Sequence, residues 1–362
     1  MKHIIYGYIT NSNTSFTITA RQYITLFKRA GFKVYEQFNR SLVSWNYRDA
    51  PTVLPVIHPF FYAVLNLQRI PYSVYSSTAI DVCESEEMGP VALQYIKIPR
   101  FYIVPSKKCV EVYAKYIPRN NVFYLPHMLE EEYLHDVYKN ATSEVLKTLY
   151  EKKKQTDEIY IGYIVKHSWW RKGADVLIKF YRFIKATWPN SKLIIITSQS
   201  EREIITKLAQ GIQDIIILVG DYTKADLSLF YKIVDIYPAT SRGGAFEIPF
   251  LEAVWHGAIV PHVAEAPWAE YLPSAFAISK YHRSTVHAIH SLAWQLYGGP
   301  GWEPDSFELY EKVVSLGLKE GKQISESHKQ FLLDYYTIDG NITRARELLN
   351  SIFSRYTWIQ AK

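Results

Sequence analysis

VDIYPATSRGGAFEIPFLEAVWHGAIV, residues Val234 to Val260, is the stretch whose reading decides the fold. Val234 to Tyr237 reads as a short apolar strand ending at Pro238; a polar loop with Gly243-Gly244 follows, and Pro249 introduces the apolar-rich run FLEAV. Proline suits the first turn of a helix, where its missing N–H would have no intrahelical partner. Gly257 stops that helix as a C′ glycine does, and Ala258-Ile259-Val260 begins the next strand. Strand, glycine loop, short helix and strand make a βαβ unit. Its loop, Gly243, Gly244, Ala245 and Phe246, presents backbone N–H groups at a helix N-terminus, where anions bind. Glu252, one turn into the helix, faces the same crevice, and an ionised carboxylate only accepts hydrogen bonds, which suits hydroxyl groups. A nucleotide satisfies both features, with phosphates on the loop and ribose hydroxyls on the acid.

Outward from this unit, two segments begin alike. His3 to Ile9 (HIIYGYI) leads through a polar loop into the helical run TARQYITLFKRAGF and the strand KVYEQF. Glu158 to Ile164 (EIYIGYI) leads through VKHSWWRKG into ADVLIKFYRFIKATW and the strand KLIIIT. In the second helix Val176, Leu177, Phe180, Tyr181 and Ile184 recur at helical spacing and give one buried face. Apolar strands alternating with such helices imply parallel sheets covered on both faces. Each copy therefore starts a doubly wound α/β domain, whose ligands sit at the C-terminal ends of the strands. The charged end of SEVLKTLYEKKKQTDE places a linker near Lys152 to Asp157, dividing the chain into residues 1–155 and 156–339.

GGAFEIPFLEAVWHGAIVP resembles the signature of retaining GT-B glycosyltransferases of family GT4, the glycosyl transferases group 1. Phe246, Pro249, Leu251, Glu252, Ala253 and Gly257 fall on that pattern. Two positions depart from it: the family's first glutamate coincides with Gly244, and the second glycine of its Gly-Phe-Gly coincides with Glu247. The resemblance implies the GT-B architecture, two Rossmann-like doubly wound domains facing across a cleft. It also implies that a last helix, over about 340–362, crosses back to the first domain. The implied activity is transfer of a sugar from a nucleotide-diphosphate sugar, UDP- or GDP-linked, with retention of configuration. No separate cofactor is implied, and the acceptor, whether glycan, lipid or protein, is not specified.

Residue by residue, the resemblance assigns the ribose-binding acid to Glu252. In the loop Lys166 to Gly173 (KHSWWRKG), Lys172-Gly173 matches the family's Lys-Gly, which holds the pyrophosphate. The family's arginine is replaced by Tyr163, so Arg171 or Lys166 supplies the second charge. Fixed cations beside a departing diphosphate are the electrostatic answer to the charge it develops. Lys172 is expected to be exposed when no donor is bound. His58, at the end of a first-domain strand, matches a histidine that contacts the donor sugar, whereas His127 reads as structural. Glu247 is either a sugar ligand or an acid interacting with the helix macrodipole. Thr10 to Ser15 either line an acceptor pocket or cap the following helix.

Composition narrows the alternatives. A chain of 362 residues with 48% hydrophobic content can bury two cores. No apolar run reaches the length of a membrane span, so the expectation is a soluble, cytoplasmic protein. The net charge of +6 favours anionic partners such as nucleotides or a lipid surface, which leaves peripheral membrane contact open. Residues 1–150 hold 16 basic and 12 acidic residues, too balanced for the DNA-base glucosyltransferase reading of this fold, and no nucleic-acid partner is expected. A sugar-nucleotide epimerase and an inactive, GT-like binding protein are the other competitors. The sequence has no Asp-any-Asp pair to hold a divalent ion, so a metal site is not expected. Cys83 and Cys109 are the only cysteines, from which no disulfide framework is expected.

Overall fold

A computed structural model of the chain describes residues 2–8, 15–38, 53–57, 78–97 and 99–360. His58 and most of the loop Thr10 to Ser15 lie outside the described residues.

The first half builds one six-stranded parallel sheet. Its strands are β1 (His3–Tyr8), β2 (Lys33–Phe38), β3 (Val53–Ile57), β4 (Thr78–Ile80), β5 (Phe101–Val104) and β6 (Val122–Tyr124), in the order β2-β1-β3-β4-β5-β6. The order reverses between β1 and β3, the topological switch point where such sheets take their ligands. β1 runs in register with both neighbours, Ile5 pairing with Tyr35 and Pro55. The helix Ser15–Arg29 buries Ala20, Tyr23, Ile24 and Phe27 against the sheet, at the 3.6-residue period.

The second half is organised on β7 (Ile159–Val165), β8 (Ser191–Thr197) and β9 (Ile215–Val219), again parallel. Every residue of β7 except Ile164 is buried, as a strand covered on both faces requires. On the other side of β7 the sheet continues through single parallel bridges, Ile161 to Ile236 and Ile236 to Ile259. The strands expected at Val234 and Ala258 are thus reduced to these contacts, because Pro238 and Pro261 interrupt the donors that a longer ladder would need. The expected helix between them spans Ile248–Trp255, with Pro249 in its first turn and Gly257, at φ 93°, just past its end.

Two packing facts cross the middle of the chain. The stretch where the linker was expected is helical through Gln155, and Leu146 and Leu149 of that helix pack in the second half's core together with Leu129, Tyr133 and Ala141. The last helix, Ile338–Gln360, places Ile338, Ala345, Leu348, Leu349, Ile352 and Phe353 in the first half's core. Phe353 stacks on Phe32 with ring centres 5.8 Å apart. The two cysteines, in contrast to the expectation, are joined as a disulfide. Adjacent strands β4 and β5 bring Cys83, in the loop after β4, within a Cα separation of 5.3 Å of Cys109, in the helix Lys107–Ala114. That proximity is a product of sheet order, which the 26-residue separation alone does not reveal.

Candidate active site in the interdomain cleft

A cleft of about 780 Å³ opens between the two halves. Arg21, Gln22 and Thr25 of the first helix form one wall, and Lys166, Asp221, Leu227, Ile248, Pro249 and Glu252 form the other. Lys166 follows the C-terminal end of β7, and Asp221 follows that of β9, where a doubly wound sheet places its ligand.

Glu252 is the deepest charge-bearing group of this wall. The Tyr231 hydroxyl donates to its Oε2 at 2.7 Å. Burial, with a smaller push from Glu130, raises its carboxyl from 4.5 to about 8, against the opposing pull of Tyr231 and Lys224. Glu130 is itself raised by burial and pairs with Lys224, which also reaches Glu132 at 2.8 Å. Lys224 stands in the first turn of a helix whose start Thr223 and Asp226 close by mutual hydrogen bonds. Tyr133 also lines the cleft, and its buried hydroxyl has no hydrogen-bond partner among the described residues. At the rim, Lys166 pairs with Asp221 at 2.8 Å. Among the described residues no group of three His, Cys, Asp or Glu side chains gathers to hold a metal ion.

Arg171, Lys172 and Glu247 meet in a second, tighter cluster, apart from the residues that line the cleft. Arg171 Nη1 donates to Glu247 Oε1 at 2.8 Å, and Lys172 pairs with Oε2 of the same carboxylate. Lys172 is therefore not exposed: its side chain retains 16% of its accessible surface. Burial lowers its pKa, and Glu247 pulls the other way. Burial likewise works against the charge on Arg171, but Glu84 and Glu247 outweigh it. Glu84 arrives from the first half, in the loop after β4, and accepts from His287 at 2.6 Å. Burial opposes its ionisation, yet Arg171 and His287 hold it down to about 2.

The backbone explains how Glu247 reaches both cations. It sits at φ 59°, a left-handed conformation uncommon for residues with a side chain, and this is where the resemblance places a glycine. The family glutamate's position, Gly244, has φ 151°, and a Cβ there would lie 2.3 Å from Glu247 Oε1. A side chain at 244 and this placement of Glu247 exclude each other. The loop itself packs across the domains: Gly244 N donates to the Glu84 carbonyl at 3.0 Å, Ala245 joins the first half's core, and Phe246 lies between His127 and Tyr271. Gly243, Gly244, Ala245 and Phe246 are not among the residues lining the 780 Å³ cleft, although Ile248 and Pro249 just beyond them are. His127 serves packing. It exchanges a hydrogen bond with Tyr23 at 3.1 Å, and burial drives its pKa down to about 3.

Residues 158–264 match the family model described as Glycosyl transferases group 1. The fold is GT-B. Over its whole length the chain superposes on an α,α-trehalose 6-phosphate synthase from Burkholderia multivorans, covering 100% of each chain at 11% identity with a TM-score of 0.66. A Rickettsia africae glycosyltransferase matches over 98% of this chain and 98% of that one, at 14% identity and a TM-score of 0.61. An E. coli trehalose-6-phosphate protein bound with UDP-2-fluoro glucose matches at 10% identity, 97% and 99% coverage, and a TM-score of 0.61. In sequence the chain is 25% identical over 294 residues to an uncharacterised protein of Sulfolobus islandicus rod-shaped virus 1, spanning 75% of this chain and 76% of that one.

Of the residues expected from sequence, Lys166 and Glu252 share one cleft, and Arg171, Lys172 and Glu247 share a separate cluster. Sequence reasoning missed Glu84, His287, Glu130, Tyr133 and Lys224. The spacing Thr223-x-x-Asp226 was a readable sign of the helix start that presents Lys224. Glu84 gave no such sign, because the strand before it has only three residues.

Proposed function

We propose that this protein is a glycosyltransferase that moves a sugar from a nucleotide-diphosphate donor, UDP- or GDP-linked, to an acceptor, with retention of configuration and without a metal ion. The observation that carries the reading is the interdomain cleft, lined by residues of both halves, with the buried carboxyl of Glu252 on one wall. A ribose offers the matching hydroxyl pair. Glu252 accepts from both hydroxyls when ionised, and donates one hydrogen bond when protonated.

The diphosphate then extends toward Arg171 and Lys172. These two cations neutralise the charge that develops as the sugar–oxygen bond breaks, and they are positioned before the reaction because Glu247 already holds both. The Glu247 carboxylate has four lone-pair sites, so its two ion pairs leave capacity for a sugar hydroxyl. His58, which follows β3 in sequence, is carried over from the resemblance as a contact to the donor sugar. The acceptor attacks the face from which the diphosphate leaves, as in the retaining enzymes the signature resembles.

The test is a thermal-shift and hydrolysis screen with UDP-, GDP- and ADP-sugars, run with and without a chelator. Binding to the folded state alone raises the melting temperature in proportion to ln(1 + [L]/Kd). Stabilisation by one donor class with chelator-insensitive release of sugar supports the proposal. Stabilisation without turnover selects a GT-like binding protein, and turnover abolished by chelator and restored by manganese overturns metal independence.

A further inference from the structure

We infer that a second copy of this chain docks on the face formed by the helices Ala174–Thr187 and Ser306–Leu316, making a two-fold symmetric dimer remote from the cleft. These helices lie side by side and close the outer surface of the second half. Their inward residues, including Leu177, Phe180, Ile184, Leu309 and Val313, belong to the core. Their outward surface carries three large apolar side chains among its charged and polar ones. Phe183 keeps 37% of its surface exposed, Phe307 46% and Val314 36%. The rings form one cluster, with Phe183 to Phe307 centres at 5.2 Å, Phe183 to Tyr310 at 5.6 Å and Phe307 to Tyr310 at 5.6 Å. Thr187 Oγ1 and Tyr310 Oη, 2.8 Å apart, fix the arrangement from one side. An aromatic centre of this kind, with a polar rim, is the anatomy of a protein–protein contact rather than of scattered surface residues.

The charges around the cluster specify the occupant. On the first helix the exposed neighbours of Phe183 are basic: Arg182 precedes it and Lys179 lies one turn earlier. On the second helix the exposed neighbour of Tyr310 is Glu311. Other charges nearby are committed within the chain: Lys185 to Asp214 at 2.6 Å, and Glu308 to the Lys280 amide at 2.7 Å. Arg182 and Glu311 make no ion pair among the described residues. One face therefore carries an aromatic centre with basic residues along one helix and an acid along the other. A two-fold axis in the interface, running between the helices and parallel to them, brings each basic helix against the partner's acidic one, which is the self-complementarity an isologous interface requires. A partner of one charge sign would meet a like charge on one of the two helices, so the mixed rim favours a second copy.

Sedimentation velocity on the full chain, over about 1 to 100 µM, reads the outcome directly. The wild type is expected to shift from 42.1 kDa toward twice that mass as concentration rises. Arg182→Glu alone and Glu311→Arg alone should each weaken association at least about tenfold, by placing like charges opposite one another. The double variant Arg182→Glu/Glu311→Arg should recover association, because the exchange restores complementarity. Phe307→Asp should abolish it, with melting temperatures of all variants checked against wild type to exclude unfolding. A chain that stays at 42.1 kDa throughout, or a dimer indifferent to both charge reversals, overturns the proposal.

Discussion

Glu252→Gln replaces one buried acid by its neutral isostere, and the structure sets both the size and the pH course of the effect. The Tyr231 hydroxyl that donates to Oε2 can donate equally to an amide oxygen, so the local hydrogen bond survives. What changes is the proton. In the folded chain burial raises the Glu252 carboxyl from 4.5 to about 8, so the native state keeps a proton that the unfolded chain releases from about pH 4.5 upward. A raised acid pKa therefore removes stability as pH rises: the cost is absent below about 4.5, grows between 4.5 and 8, and is complete above 8. At 1.36 kcal/mol per unit, the full cost is about 5 kcal/mol. Glutamine has no proton to lose and escapes it. Urea unfolding of both proteins at four values between about pH 5 and pH 9 is the assay, with the difference between them cancelling every other titrating group. Near pH 5 the two should unfold at similar urea concentrations, and by pH 9 the variant should be the more stable by several kcal/mol. A difference that does not vary with pH, or a wild type that gains on the variant as pH rises, refutes the reasoning.

Lys172→Ala should lower turnover roughly 10²-fold or more, the scale of losing one preorganised electrostatic contact. Because Lys172 is buried against Glu247, the variant should also lose about 1–3 kcal/mol of stability. Steady-state rates and a melting curve on the same preparation check both. Arg242→Ala leaves Asp175 and Glu303 without the guanidinium that holds them at 2.8 and 2.7 Å, and should cost about 3–5 kcal/mol. Nucleotide affinity of the fraction still folded should be unchanged by that substitution, and a direct loss of affinity would place Arg242 in the site.

Much of the architecture was legible in residues 158–264 because local rules agree there. The strand EIYIGYI is apolar throughout, the following helix repeats its buried face at Val176, Phe180 and Ile184, and Pro249 and Gly257 bracket the signature helix. That Glu252 lines the cleft was legible because its place one turn into that helix follows from the backbone. Tertiary partners were not. Nothing local to Lys172 announces that Glu247, 75 positions on, takes its ammonium, and the expected exposure of Lys172 failed for that reason. The disulfide depends on β4 lying beside β5 and so escaped a count of two cysteines. Glu247 offered a partial clue. An acid at a position the family gives to glycine must tolerate φ 59°, and its ion pairs with Arg171 and Lys172 accompany that conformation.

In the proposed function a nucleotide occupies the cleft with its ribose on Glu252. The most direct measurement is calorimetric titration of UDP and GDP into wild type and Glu252→Ala, at neutral pH and below the melting temperature of both. The wild type should bind one of the two. The variant should lose about 1–3 kcal/mol of that affinity while still folded, the worth of two hydrogen bonds to a carboxyl that burial keeps protonated at neutral pH. A folded Glu252→Ala variant that binds the nucleotide as tightly as wild type would contradict the placement of the site.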